Sequence, residues 1–203
     1  MKGERERTTR QTYEEIAEAF LERTRDRTRT LEILRRFAAE VSPGGLVLDV
    51  GGGPGFDASE LRALGLRAVC ADLSMAMLRS GIGEFPGPRV QADNRSLPFA
   101  TGSADGVWAN ACLLHLDPND LRTALREIAR VCREAAPLHL SMKSGSGAGF
   151  DPGPYARPRW FQYWDGPELD ALLEAEGFTL RDALLEERRT TSWLVRLLAC
   201  PGA

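Results

Sequence analysis

No stretch of this chain is more constraining than Leu46-Val47-Leu48-Asp49-Val50 followed at once by Gly51-Gly52-Gly53-Pro54-Gly55. A short, nearly continuous apolar run, without the alternation of a half-exposed strand, is the pattern of a strand buried on both faces. Such strands belong to parallel sheets covered by helices on each side. The glycines permit a tight turn, let the backbone come close to a ligand, and lead into a helix whose first N–H groups are free. Gly53-Pro54-Gly55-Phe56-Asp57-Ala58 also satisfies the dinucleotide pattern G-x-G-x-x-A, so the turn alone does not choose between nucleotide ligands.

The flanking sequence extends the alternation. Tyr13, Ile16, Ala17 and Phe20, then Leu31, Leu34, Phe37, Ala38 and Val41, recur at helical spacing and predict two N-terminal helices, ended by Ser42-Pro43-Gly44-Gly45. After the glycine turn a helix runs to about Leu64 and stops at Gly65. Strands are predicted from Arg67 to Ala71, Val90 to Ala92, Gly106 to Asn110 and Pro137 to Met142, with a short helix opened by Ser74. Asp117-Pro118 opens a longer helix with a capping carboxylate and an N-terminal proline, and places Leu121, Leu125, Ile128 and Val131 on one stripe. Residues 144–164, beginning Ser144-Gly145-Ser146-Gly147-Ala148-Gly149, read as a flexible segment able to close over a substrate.

Asp165 to Glu176 predicts a last helix, with Glu168 placed to complete a capping box and Gly177 to end it. Phe178 to Leu185 and Trp193 to Ala199 predict two closing strands. The charged stretch Glu186-Glu187-Arg188-Arg189 between them is too short for a crossover helix, which makes the pair an antiparallel hairpin. The sum is one α/β domain, in which residues 1–45 form a helical lid on a core of residues 46–203. Ligands in such sheets sit at the carboxyl ends of the strands, beside the topological switch point.

Bulk properties narrow the function classes. No apolar run reaches the ~18 residues of a membrane span. The start Met1-Lys2-Gly3-Glu4-Arg5-Glu6-Arg7 has no apolar secretory region. Cys70, Cys112, Cys132 and Cys200 lack metal-like spacing and are expected as reduced thiols of a cytoplasmic protein with no metal site. The net charge of −3 and pI near 5.6 argue against a nucleic-acid partner. Of 26 basic residues only Lys2 and Lys143 are lysines, a coding bias and not a binding surface. The run Arg23, Arg25, Arg27, Arg29 reads as a solvated face.

Four features in order identify a family likeness. Asp49 to Gly55 resembles motif I of class I S-adenosylmethionine (SAM) dependent methyltransferases. Asp72 ends the second strand, where that family places a ribose ligand. Ala92-Asp93-Asn94-Arg95-Ser96-Leu97-Pro98-Phe99 resembles its adenine segment, and Asp105-Gly106-Val107-Trp108-Ala109-Asn110-Ala111-Cys112-Leu113-Leu114-His115-Leu116 its fourth-strand motif. The likeness runs from about Tyr13 to Ala199 and follows the small ubiquinone/menaquinone-type, methyltransferase type 11-like branch. It implies a Rossmann-like fold with a seven-stranded, mostly parallel sheet and a C-terminal antiparallel hairpin. It also implies SAM as cofactor and S-adenosylhomocysteine (SAH) as product.

The resemblance further implies cofactor contacts. Asp49 would face the methionine amino group, Gly51, Gly52, Gly53 and Gly55 would form the turn, and Asp72 would accept from the ribose hydroxyls. Leu73 and Met77 are expected among the cofactor contacts. Asp93 would take the exocyclic amine of adenine, the Asn94 N–H a ring nitrogen, and Asn110 would close the fourth strand. Pro54 departs from the commonest pattern and removes one backbone donor. Tyr13, in Tyr13-Glu14-Glu15-Ile16-Ala17, either covers the methionine end or is simply an aromatic on an amphipathic helix.

For the acceptor, His115 is either a general base or a packing residue, while His139 reads as an ordinary residue of the fifth strand. Arg157, Arg159, Trp160 and Tyr163, with Tyr13 and His115, suit an anionic or aromatic acceptor, or else pack under the last helix. The leading expectation is methyl transfer to an O, N or C atom of a small molecule in bacterial metabolism, by a monomer or homodimer away from membranes. Two others stand beside it: a tRNA- or nucleotide-modifying methyltransferase, and a SAM-binding protein without transfer activity.

Overall fold

The apolar run Leu46–Val50 forms β1, the central strand of the sheet. The computed structural model of the chain describes residues 2–188 and 191–202. Met1, and Arg189 of the predicted hairpin turn, lie outside them. Two helices, α1 (Lys2–Arg23) and α2 (Thr28–Ala39), precede β1. Then come α3 (Phe56–Ala63), β2 (Arg67–Asp72), α4 (Met75–Ser80), β3 (Arg89–Gln91), β4 (Gly106–Asn110), α5 (Pro118–Val131) and β5 (Pro137–Lys143). The chain closes with β6 (Ala148–Asp151), β7 (Arg159–Gln162), α6 (Gly166–Ala175), β8 (Thr179–Glu187) and β9 (Ser192–Ala199).

Seven strands make one sheet in the order β3-β2-β1-β4-β5-β9-β8. Only β9 runs against the others, because it pairs antiparallel with both β5 and β8. The chain walks outward from β1 to β3 and then returns to the other side of β1 with β4, so the β1 turn lies at the switch point.

The alternation of side chains across β1 and β4 explains the two cores. Val47 and Trp108 point to one face, where Leu34 and Phe37 of α2 and Ala58 and Leu61 of α3 cover them. Leu48, Val50, Val107 and Ala109 point to the other, under Leu121, Leu125 and Ile128 of α5 and Leu169 and Leu173 of α6. Asp117 caps α5 by accepting from the N–H groups of Asn119 and Asp120. Asp165 caps α6 through the N–H of Glu168, the forward half of the expected capping box.

Four sequence expectations need correction. The third strand is shifted to Arg89–Gln91, and β8 extends into the charged stretch as far as Glu187. Residues 144–164 are not a plain flexible loop: β6 and β7 form an antiparallel ladder, anchored by the Ser144–Trp164 bridge beside the main sheet. Nor is the arginine run simply solvated. Arg25 pairs with Glu22 and Glu84 at the surface, but Arg27 turns inward to Asp57. Helix α1 lies over the carboxyl ends of the strands, packed on α4 and β7.

Candidate active site

The glycine turn is fixed from two sides. The Gly51 and Gly52 N–H groups donate to the Ala71 carbonyl at 2.7 and 3.1 Å, tying the turn to β2. Gly51 has φ +67°, and a Cβ there would lie 2.1 Å from Cys112 Cβ; one on Gly52 would lie 2.4 Å from Asp49 Oδ2. Only glycine fits such an approach. Asp72 accepts from the Gly53 N–H (2.9 Å) and the Ser74 N–H (2.8 Å), and Asp49 from the Ala58 N–H (3.1 Å). Burial pushes Asp72 up to about 6, against the pull of those N–H groups. Burial and the neighbouring Asp57 raise Asp49 well above the usual carboxylate range. Asp57 itself accepts from Arg27 Nη2 (2.6 Å), Trp108 Nε1 (2.9 Å) and Asn110 Nδ2 (3.2 Å). Asn110 in turn accepts from Ser141 Oγ at 2.7 Å.

These groups wall one end of a cavity of about 700 Å³. Leu73, Met77, Asp93 and Asn94 complete that end. From the far side α1 brings Tyr13, and β7 brings Arg159 and Phe161. His115 lies between them. Its Nδ1 is 2.6 Å from the Trp160 carbonyl, which only accepts, so Nδ1 carries the hydrogen. Nε2 then accepts from the Tyr13 hydroxyl at 2.9 Å. Burial lowers His115 to about 3, so the ring is neutral. Burial raises the Tyr13 phenol, with Arg159 opposing the rise.

The cavity therefore has an acidic end at a glycine turn and a second end lined by aromatic and basic groups. Residues 48–139 match the family model described as a methyltransferase domain. That match covers just under half of the chain. A demethylmenaquinone methyltransferase of Corynebacterium urealyticum is 37% identical over 102 residues, which are 50% of this chain and 43% of that protein. An uncharacterized methyltransferase of Mycobacterium sp. strain JLS is 39% identical over 106 residues, 51% of this chain and 41% of the relative. The matched part of the chain thus spans less than half the length of these relatives. Among solved structures, a SAM-dependent methyltransferase from Methanosarcina mazei superposes with TM-score 0.75 at 17% identity, covering 84% of this chain and 98% of that one. The Burkholderia thailandensis 1,6-didemethyltoxoflavin-N1-methyltransferase gives TM-score 0.74 at 22% identity, with 98% and 90% covered. At those identities the likeness is one of fold: the Rossmann-like methyltransferase sheet with its C-terminal antiparallel strand.

Most of the residues singled out from the sequence reach this one cavity: Tyr13, Asp49, Gly51, Gly52, Gly53, Asp72, Leu73, Met77, Asp93, Asn94, Asn110, His115 and Arg159 all line it. Gly55 does not. It is the left-handed residue before α3, where a Cβ would strike Phe85 at 2.8 Å. Trp160 is also corrected. Side chains alternate along β7, so Arg159 and Phe161 face the cavity while the Trp160 ring packs under the Arg5 guanidinium. Arg157 is exposed and pairs with Glu15, and Tyr163 stands beyond Phe161, outside the lining. Asp93 lines the cavity, but Arg95 holds its two oxygens (3.0 and 2.7 Å).

Sequence reasoning passed over Arg27, Asp57, Ser141, Lys143 and Phe161, and undervalued His139. The last is buried, stacked at 3.7 Å on Trp108, and lines the cavity. One signal was present: Lys143 is one of two lysines among 26 basic residues, and it ends β5 at the site.

Proposed function

We propose that the protein transfers a methyl group from SAM to an O, N or C atom of a small molecule. The observation that carries this reading is the single cavity in which the glycine turn with Asp49 and Asp72 opens onto Tyr13, His115 and Arg159. The donor set fits SAM: Asp49 and Asp57 are buried and Asp72 is half-buried at this end, Arg27 pairs with Asp57, and the excess of acid suits a cationic ligand. SAM supplies a methyl group already activated on a sulfonium, so the chain has to position, desolvate and screen. In this reading Asp72 accepts from ribose hydroxyls, Asp49 faces the amino group, and Leu73 and Met77 lie against the nucleoside. Asn94 offers its N–H to the adenine, with Asp93 shared between adenine and Arg95. Asn110, fixed by Ser141 and Asp57, borders the methyl position, and Tyr13 covers it from α1.

Residues 1–45 act as the lid, since α1 spans the opening and Glu14 ties it to α4 through the Met75 and Ala76 N–H groups. The acceptor is not a nucleic acid, in keeping with the acidic pI. We place the enzyme in cytoplasmic small-molecule metabolism of a bacterium, as a monomer or homodimer. No described helix is long and apolar enough to cross a membrane.

Calorimetry tests the cofactor. SAM and SAH should bind at micromolar levels and NAD should not; NAD binding without SAM binding would overturn the reading. Asp72→Ala should weaken SAM by roughly 1.5–3 kcal/mol, the size of charge-assisted hydrogen bonds lost from a desolvated site. Radiolabelled transfer to candidate acceptors then separates an enzyme from a protein that only binds SAM.

A further inference from the structure

The two ends of the cavity carry opposite charge, and the guanidinium at the basic end lacks a counter-ion among the described residues. Arg159 is 7% exposed and lines the cavity. Its Nη1 reaches the Tyr13 hydroxyl at 3.4 Å, its Nε has no hydrogen-bond partner, and no carboxylate pairs with it among the described residues. Aromatic rings hold the guanidinium instead: its carbon lies 5.1 Å from the Tyr155 centroid, 5.2 Å from Phe161 and 5.7 Å from Tyr13. Lys143 joins it. Its Nζ is 3.4 Å from the same Phe161 centroid, and its one acid, Asp151, is a half-exposed residue 3.6 Å away.

A buried guanidinium without a carboxylate is costly, and a second cation beside it raises the cost. Burial and Arg159 together lower the Lys143 ammonium. This occurs in a chain where 29 acids outnumber 26 bases, so the imbalance is local. Tyr13, Tyr155 and His115, the other titratable groups facing these cations, are neutral at pH 7.

We propose that the methyl acceptor is an anion, with a carboxylate or ionised hydroxyl seated between Arg159 and Lys143 and an unsaturated frame against Tyr13, Tyr155 and Phe161. The word acceptor rests on the methyltransferase reading; the anion site does not. An acceptor held in this way arrives deprotonated, which is consistent with a neutral, doubly bonded His115 that is not free to act as a base.

The test uses the full chain saturated with SAH and calorimetry at pH 7 with three probes: benzoate, 4-nitrophenol and the neutral isostere benzamide. Benzoate should bind at least about tenfold more tightly than benzamide. 4-Nitrophenol titrated at pH 6, where the free phenol is mostly neutral, should gain the visible absorption of its ionised form on binding if an ionised hydroxyl is accepted, and only benzoate should bind if the site takes carboxylates alone. Arg159→Gln should cost benzoate about tenfold or more, with Arg159→Lys recovering part of the loss, while SAH affinity and melting temperature stay near wild type. Lys143→Met provides a second variant should Arg159→Gln fold poorly. Benzoate and benzamide behaving alike, or benzoate binding unchanged in both variants, would overturn the proposal. Loss of SAH binding in the wild type would sink the methyltransferase reading instead, and the anion titration without SAH would still decide this one.

Discussion

His115 is held by two partners that define its protonation. The Trp160 carbonyl takes its Nδ1 hydrogen and the Tyr13 hydroxyl occupies its Nε2 lone pair. With its pKa lowered to about 3 by burial, the ring has little affinity for a proton at neutral pH. We therefore expect His115→Ala to act mainly on the fold. It orphans the Trp160 carbonyl and the Tyr13 hydroxyl and should cost roughly 2–4 kcal/mol of stability. Turnover per folded molecule should fall less than about tenfold, where loss of a general base costs ~10²–10⁴. Urea unfolding and turnover measured on that one variant decide the matter, and a hundredfold loss of turnover with intact stability would restore the base. This site was partly legible in the sequence, because Asp49, Asp72 and His115 sit at strand ends beside recognisable turns. Asp57 carried no such mark. Asp57 looks like an ordinary first-turn acid of α3, and its partners Arg27, Trp108 and Asn110 are brought to it only by the fold.

At the scale of elements, the join between α1 and α4 carries the lid. Helix α4 has six residues, and its N-terminus is closed by two side chains. Ser74 Oγ accepts from the Met77 N–H, while Glu14 of α1 accepts from Met75 (2.9 Å) and Ala76 (3.0 Å) with its two oxygens. A carboxylate there also meets the positive end of the helix dipole. Glu14→Ala should cost about 1–2 kcal/mol, and Glu14→Gln less, since one amide oxygen can still accept. Hydrogen exchange should quicken at the Met75 and Ala76 amides, and SAH affinity should weaken because Leu73 and Met77 border that join. Unchanged exchange would show that α1 does not hold α4. The long elements could be read in advance: burial on both faces marks β1, and a capping carboxylate with an apolar stripe marks α5. The β6–β7 ladder could not. Its strands are four residues each, the first follows the Ser144-Gly145-Ser146-Gly147 stretch that reads as a flexible loop, and the ladder adjoins the Ser144–Trp164 bridge, a contact between residues 20 positions apart.

Over the whole molecule, buried titratable groups pull stability in opposite directions with pH. Asp72 and Asp49 have raised folded values, so they favour the folded state in acid and lose that contribution as pH rises through the folded value, about 6 for Asp72. His115 and His139 have lowered values of about 3, so below about 6.5 the unfolded chain binds protons that the folded chain refuses. Between pH 6 and 4 the two pairs largely offset one another, which predicts a shallow acid limb for the wild type. Removing one member exposes the slope. His139 is the suitable choice, because its Nε2 is buried with no partner among the described residues and its ring stacks flat on Trp108. His139→Phe keeps the stacked ring and removes both the proton site and the orphaned nitrogen. At pH 5 the wild-type histidine costs about 1.36 × 1.5, or ~2 kcal/mol, and at pH 7 only a few tenths. Urea titrations should therefore show the variant gaining about 2 kcal/mol on the wild type when pH falls from 7 to 5. A constant difference between the two proteins at both pH values would mean that His139 takes up its proton as readily in the folded chain as in the unfolded one, placing a charge inside the cavity at pH 5 that its burial argues against.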